Sequence, residues 1–192
     1  MNETIRTFIG MSLPGHIIDA IGKVQKKIKK SGFKMRWVKP EHIHIKLKFL
    51  GDITPDMVRP IISGMAICGK EHHPVQLYSK GVGVFPGLKR PRVLWAGIGG
   101  ETDSLQKIQN QLDECISKTG IPKENRPFKG HLTIGRFKGH ADSKKLVSVI
   151  KEFSEFETEP FSAETLSLYK SDLTPSGAIY TLLETVSFQK QR

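Results

Sequence analysis

His42-Ile43-His44-Ile45-Lys46-Leu47-Lys48-Phe49 alternates polar and apolar residues without a break over eight positions, the pattern of a half-buried β-strand. Successive side chains of a strand point to opposite faces. Ile43, Ile45, Leu47 and Phe49 are therefore expected in a core, and His42, His44, Lys46 and Lys48 on the other face. A second stretch, His131-Leu132-Thr133-Ile134-Gly135-Arg136-Phe137, opens in the same way, with polar residues at 131 and 133 and apolar residues between.

The two stretches belong to a longer likeness. His131 follows His44 by 87 positions, and the same shift sets Phe8-Ile9-Gly10 on Trp95-Ala96-Gly97, Ile18 on Leu105, Ile21 on Ile108 and Pro40 on Pro127. Both halves run strand, glycine, amphipathic helix, proline, His-strand. A repeat of half the chain length implies two similar lobes rather than a solenoid. We expect one α+β domain over residues 1–192, its lobes related by internal duplication. Each lobe is a mostly antiparallel sheet with helices on its outer face, and a cleft lies between them.

Taken in order, strands are expected over Ile5 to Leu13, Lys34 to Val38, His42 to Gly51, Val75 to Val84, Val93 to Ile98 and from His131. A closing hairpin, Phe161 to Tyr169 and Ala178 to Val186, turns at Thr174-Pro175-Ser176-Gly177. Helices are expected from Pro14 to Gly32, from Thr54-Pro55 with Pro60 able to bend it, over Thr102 to Lys118, and over Ser143 to Phe153.

Composition narrows the partners. With 30 Lys+Arg against 19 Asp+Glu, the formal charge is +11, which favours a polyanion. Lys26, Lys27, Lys29 and Lys30 read as the solvated face of a helix, whereas Lys89-Arg90-Pro91-Arg92 sits in a Gly/Pro-rich loop suited to contact nucleic acid. No apolar run reaches membrane-spanning length and no leader pattern precedes the first strand. Cys68 and Cys115 match no metal or redox spacing. A monomer of the reducing cytoplasm is expected, with the tail Gln189 to Arg192 loosely held.

If the polar faces of both His-strands line the cleft, His44 and His131 stand on opposite walls. Two such imidazoles suit a reaction that takes a proton at one end and delivers one at the other, as phosphodiester cleavage does. A hydroxyl two residues along lies about 6.5 Å away on the same face, placed to donate to a phosphate oxygen. His42 shares that face at the rim; His72, His73 and His140 fall in expected loops.

His44-Ile45-Lys46-Leu47 followed by Lys48-Phe49-Leu50-Gly51, and Arg126-Pro127-Phe128 leading to His131-Leu132-Thr133-Ile134, resemble the paired H-x-T-x motifs of the two-histidine phosphoesterases. Within them, the match is closest to the RNA 2′,3′-cyclic phosphodiesterases of bacteria and archaea, also described as 2′-5′ RNA ligases. The resemblance extends over nearly the whole chain, including Arg36-Trp37-Val38 and Val84-Phe85-Pro86. It implies a metal-independent enzyme without cofactor that opens a terminal 2′,3′-cyclic phosphate of RNA to a 2′-phosphate. It also implies His44 as proton donor, His131 as acceptor and Thr133 as phosphate ligand. Lys46 stands where the family usually has Thr or Ser; its ammonium can hold a phosphate oxygen and would depress the pKa of a neighbouring histidine. The family often has Arg at the position of Arg136. Strict alternation turns Arg136 away from the histidine face, and a bulge at Gly135 turns it inward.

Two other classes are open to the same residues. One is a metal-dependent hydrolase using His42, His44 and His131. The other is a non-catalytic RNA-binding module.

Overall fold

The computed structural model describes residues 3–175 and 177–190; Ser176 of the expected turn, and Gln191 and Arg192 of the expected loose tail, lie outside them. The described strands are β1 (Ile5–Met11), β2 (Met35–Trp37), β3 (Ile45–Ile53), β4 (Val75–Phe85), β5 (Val93–Gly100), β6 (His131–Phe137), β7 (Phe161–Ala163), β8 (Thr165–Thr174) and β9 (Gly177–Ser187). The helices are α1 (Gly15–Lys29), α2 (Val58–Glu71), α3 (Thr102–Ser117) and α4 (Ser143–Glu152). Shifted by 87 positions, α1 would occupy 102–116, beside the observed Thr102–Ser117.

Every pairing is antiparallel, in the order β7-β4-β5-β6-β3-β1-β8-β9, with β2 added on β6. The lobes are thus β3-β1-β8-β9 and β7-β4-β5-β6. They join at a single register pair, Ile45↔Leu132, both fully buried. Continuing that register sets His44 opposite Thr133 and Lys46 opposite His131. Because side chains alternate, those four share the face opposite the buried pair.

The lobes do not follow the sequence halves. The expected strand Phe161 to Tyr169 is divided at Glu164: β7 pairs with β4 and β8 pairs with β1, so the chain crosses from one lobe to the other. Strand β4, from the first half, likewise pairs with β5 of the second. Helices cross in the same sense. Gln25 of α1 donates to the carbonyls of Val38 and Ile134, and α3 lies against β3, where Asp113 pairs with Lys48.

Local corrections have local causes. The α2 helix starts at Val58, after a 3₁₀ turn over Pro55–Met57, so Pro60 occupies its first turn, where a missing N–H breaks no helical bond. Pro40–His42 is another 3₁₀ turn, so His42 precedes the strand instead of opening it. Strand β3 alternates as expected only as far as Lys46. Its register against β1 skips Leu47 between Ile9↔Lys48 and Gly10↔Lys46, and such a bulge inverts the faces beyond it. Lys48 is consequently buried, 4% exposed, and Phe49 stands out at 43%. The expectation of Lys48 in the cleft and Phe49 in the core is reversed.

The core lies between sheet and helices. Ile9, Met11, Ile45, Leu94, Leu132 and Ile134 from the strands meet Ile17, Ile21, Ile61, Met65, Leu105 and Leu112 from the helices, all within 1% of full burial. Closing so many aliphatic side chains against one another supplies the main drive to fold and makes the sheet a rigid base for the groups above it.

Candidate active site

The seam between β3 and β6 forms the floor of a cleft. One cavity of ≈ 450 Å³ is lined by His44, Lys46, His131, Thr133 and Arg136, with Phe49 and Tyr180 beside them. A second of ≈ 450 Å³ continues from it, lined by Arg6, Arg36 and Trp37 and sharing His42, Lys46, Phe49, Arg136 and Tyr180. The structure therefore brings together His44, His131, Thr133, Lys46 and Arg136, all five of the expected site residues.

The two histidines are held alike. Nδ1 of His44 lies 2.8 Å from the carbonyl oxygen of His42, and Nδ1 of His131 lies 2.7 Å from that of Lys129. A carbonyl only accepts, so each Nδ1 carries the proton and donates it. In both rings this leaves Nε2 as the nitrogen available to the cleft, as base when neutral and as acid when protonated.

Their surroundings differ. His44 stacks on Phe8 at 4.5 Å between centroids, and Tyr180 meets it edge-on at 5.2 Å. Gly10 makes room for this ring: a Cβ there would lie 2.7 Å from the Ile45 carbonyl oxygen and 3.2 Å from Cδ2 of His44. His131 meets one aromatic wall, Phe85, edge-on at 5.1 Å. Burial, then the Lys46 charge, hold the His44 pKa down to about 4 against the pull of the His42 carbonyl. His131 is lowered chiefly by burial, with Lys46 and Arg136 adding to it and the Lys129 carbonyl opposing.

Lys46 lies with Nζ 4.4 Å from the Phe8 centroid and 5.8 Å from that of Phe49. Burial and the charges of Arg136 and Arg6 lower its pKa to about 8. The guanidinium of Arg6 covers the other aromatic, 4.4 Å from the Phe49 centroid. Cation–π contacts of this kind hold the ammonium and guanidinium over apolar surface while leaving their charges toward the cleft.

Arg136 reaches the cleft because β6 is bulged where β3 is. Its register against β5 skips Ile134 between Leu94↔Gly135 and Trp95↔Thr133, and Ile134 is the position 87 after Leu47. Each bulge is braced from beneath by a helix of the other sequence half. The Ile134 carbonyl accepts from Nε2 of Gln25 at 2.9 Å and from the amide of Val38 at 3.2 Å. Lys48 pairs with Asp113 and donates to the Pro122 carbonyl at 2.9 Å. Gly135 serves packing here: a Cβ would sit 2.8 Å from the Met35 methyl and 3.2 Å from the Trp37 ring.

Among the described residues, no group of three or more His, Cys, Asp or Glu stands close enough to hold a metal ion, so His42, His44 and His131 do not form a three-histidine site. His42 turns to Tyr180 at 5.3 Å instead. Phe8, Tyr169 and Tyr180, which wall His44, are not singled out by the sequence pattern; only the return of β8 and β9 to the first lobe brings the tyrosines there. Phe49 carries a signal, since it is the 87-residue counterpart of Arg136.

A two-lobed α+β body, its seam flanked by matching histidine strands, defines the class of two-histidine phosphoesterases. The family described as LigT like Phosphoesterase matches the chain twice, over residues 11–95 and 98–180. This protein belongs to that family. It is 34% identical over 181 residues to the RNA 2′,3′-cyclic phosphodiesterase of Methanocaldococcus jannaschii, covering 94% of this chain and 99% of that one. Its identity to the enzyme of the same name from Aquifex aeolicus is 32% over 185 residues, covering 95% and 96%. The fold is shared with a crystal structure from Thermus thermophilus, with TM-score 0.80, 24% identity and coverage of 97% and 100%. It is shared also with E. coli LigT complexed with 3′-AMP, with TM-score 0.75, 19% identity and coverage of 97% and 99%. No described helix is long and apolar enough to cross a membrane.

Proposed function

We propose that this protein hydrolyses the terminal 2′,3′-cyclic phosphate of RNA to a 2′-phosphate. The observation that carries the reading is the matched pair of histidines, each with Nδ1–H engaged by the carbonyl two residues back and with Nε2 left to one cleft. The relatives named RNA 2′,3′-cyclic phosphodiesterase support the choice of substrate.

In the step we assign, Nε2 of neutral His131 takes a proton from water as its oxygen attacks phosphorus. The bond from phosphorus to the 3′ oxygen breaks, and that oxygen takes a proton from Nε2 of His44, whose charged form, disfavoured in the free cleft by burial and Lys46, is favoured by the bound phosphate's negative charge. The products are a 3′-hydroxyl and a 2′-phosphate, and the net proton balance is zero. Thr133 donates to a non-bridging oxygen, while Lys46 and Arg136 neutralise charge developing on the phosphate. A 5′-hydroxyl attacking in place of water uses the same groups: His131 takes its proton, the bond from phosphorus to the 3′ oxygen breaks, His44 protonates that oxygen, and the product is a 2′-5′ phosphodiester.

We read the chain as one domain of two duplicated lobes; the double family match, starting at 11 and again at 98, supports this. A monomer in the cytoplasm is the reading we carry from the sequence, and the two free, buried cysteines fit a reducing compartment.

Incubation with a nucleoside 2′,3′-cyclic phosphate, with the product isomer identified by phosphorus NMR, tests the activity. A 2′-phosphate formed equally well after exhaustive chelation is expected. A 3′-phosphate product, or loss of activity on chelation with recovery on adding one divalent metal, would overturn the mechanism. Binding of RNA without any turnover would favour the non-catalytic module.

A further inference from the structure

The loop Lys89-Arg90-Pro91-Arg92 has no part in the chemistry above, yet it is built. Pro91 is buried, while Lys89, Arg90 and Arg92 are exposed. Three hydrogen bonds tie the loop down. The Arg92 amide donates to the Phe85 carbonyl at 2.7 Å, the Phe137 amide to the Arg92 carbonyl at 3.0 Å, and the Ser143 hydroxyl to the Leu88 carbonyl at 3.4 Å.

This loop, with Arg136 and His140, walls a further cavity of ≈ 590 Å³. Its lining holds four cations and no carboxylate. Among the described residues, the ion pairs are Lys48–Asp113, Lys123–Glu114 and Lys170–Asp172, so none of these four is neutralised by a neighbour. Cations gathered on a pinned loop repel one another and create a field that attracts a polyanion. Arg136 lines this chamber and both cavities of the cleft, which makes them continuous at one side chain. Along the bulged strand Arg136 lies roughly 13 Å from His131, and the loop cations lie on its far side.

We propose that this chamber holds backbone phosphates of the RNA upstream of the reacting end. The inference rests on the proposed activity. A 2′,3′-cyclic phosphate is terminal, so every other phosphate of the strand lies on its 5′ side, and a strand whose end is at the histidines passes Arg136 to reach the loop. A mononucleotide has no group to place there. The substrate class that exploits the whole surface is therefore an oligoribonucleotide.

The test compares the parent with the double variant Lys89→Gln/Arg90→Gln, whose side chains are exposed and outside the histidine cleft. Substrates are a nucleoside 2′,3′-cyclic phosphate and an octaribonucleotide ending in the same group. The variant is expected to raise KM about tenfold for the octamer, with kcat unchanged and mononucleotide kinetics unaltered. Equal KM changes for both substrates, or no change for either, would overturn the proposal. A binding arm, fluorescence anisotropy of the octamer ending in a 2′-phosphate, separates this from the activity itself. There the slope of log K against log salt should fall by about 1.4, since each single-strand phosphate contact is worth about 0.7. An unchanged slope refutes the chamber even if turnover is absent, and absent turnover with a reduced slope refutes the proposed activity alone.

Discussion

Replacing Lys46 with threonine restores the residue usual in the family and removes a charge set beside both histidines. Lys46 Nζ and the His44 ring each lie within 4.5 Å of the Phe8 centroid, so they are no more than about 9 Å apart. A unit charge at that distance, with an effective dielectric constant near 20, contributes on the order of 2 kcal/mol, or a little over one pKa unit. The sign follows from like charges: an ammonium disfavours imidazolium, and its removal raises the histidine pKa. His44, now held down to about 4, should rise by about one unit, and His131, which Lys46 also holds down, should rise with it. Below the Lys46 pKa of about 8 the ammonium is charged, so the comparison holds over the whole range in which the histidines titrate. The assay is proton NMR titration of the His44 ring in the free protein, repeated in Lys46→Met, which removes the charge without adding a hydroxyl. In turnover, kcat/KM reports the histidines of the free enzyme, so the limb that follows His44 should move upward with the titration. A His44 pKa unmoved in both variants would mean that the ammonium does not act on the ring.

Replacing either His44 or His131 with alanine should lower kcat/KM by about 10² to 10⁴ with the thermal midpoint little changed, the usual range for one general acid or base; near-native turnover in either variant removes it from the mechanism. Asp113→Ala leaves buried Lys48 without its counter-charge and should cost about 3–5 kcal/mol in urea unfolding, whereas Lys48→Met, which removes the charge itself, should cost less. If both cost the same, the pair is not what braces the β3 bulge. In Gly10→Ala the new methyl meets the Ile45 carbonyl and the His44 ring, so a loss of about 1–3 kcal/mol is expected together with a shifted His44 ring resonance. A stable variant with an unshifted resonance would show that Gly10 does not set the ring.

How far the chain can be read from its residues depends on the range of the forces involved. Helix α3 is expected over Thr102 to Lys118 and runs Thr102–Ser117, and β6 begins at His131 as its alternation requires. These are local patterns of period 3.6 and 2, written in consecutive residues. Lys48 and Phe49 break the same rule two residues beyond Lys46. The cause is Leu47, unpaired against β1, and the acceptors that α3 and the Pro122 carbonyl offer beneath the sheet. Nothing within eight residues of Lys48 reports those partners.

The sequence by itself determined that two histidine strands exist, that they are related by 87 positions, and that His44, Lys46, His131 and Thr133 lie on the faces turned from the core. Backbone alternation and the repeat are sufficient for that, whatever the strands pack against. Only the tertiary structure decided that the strands meet at Ile45 and Leu132, that β8 and β9 return to the first lobe so that Tyr169 and Tyr180 wall His44, and that matched bulges turn Phe49 and Arg136 toward the cleft. Strand partners and bulges are settled by contacts between residues far apart in the chain, where the gain comes from burying shared surface and satisfying backbone groups. No local period records those contacts.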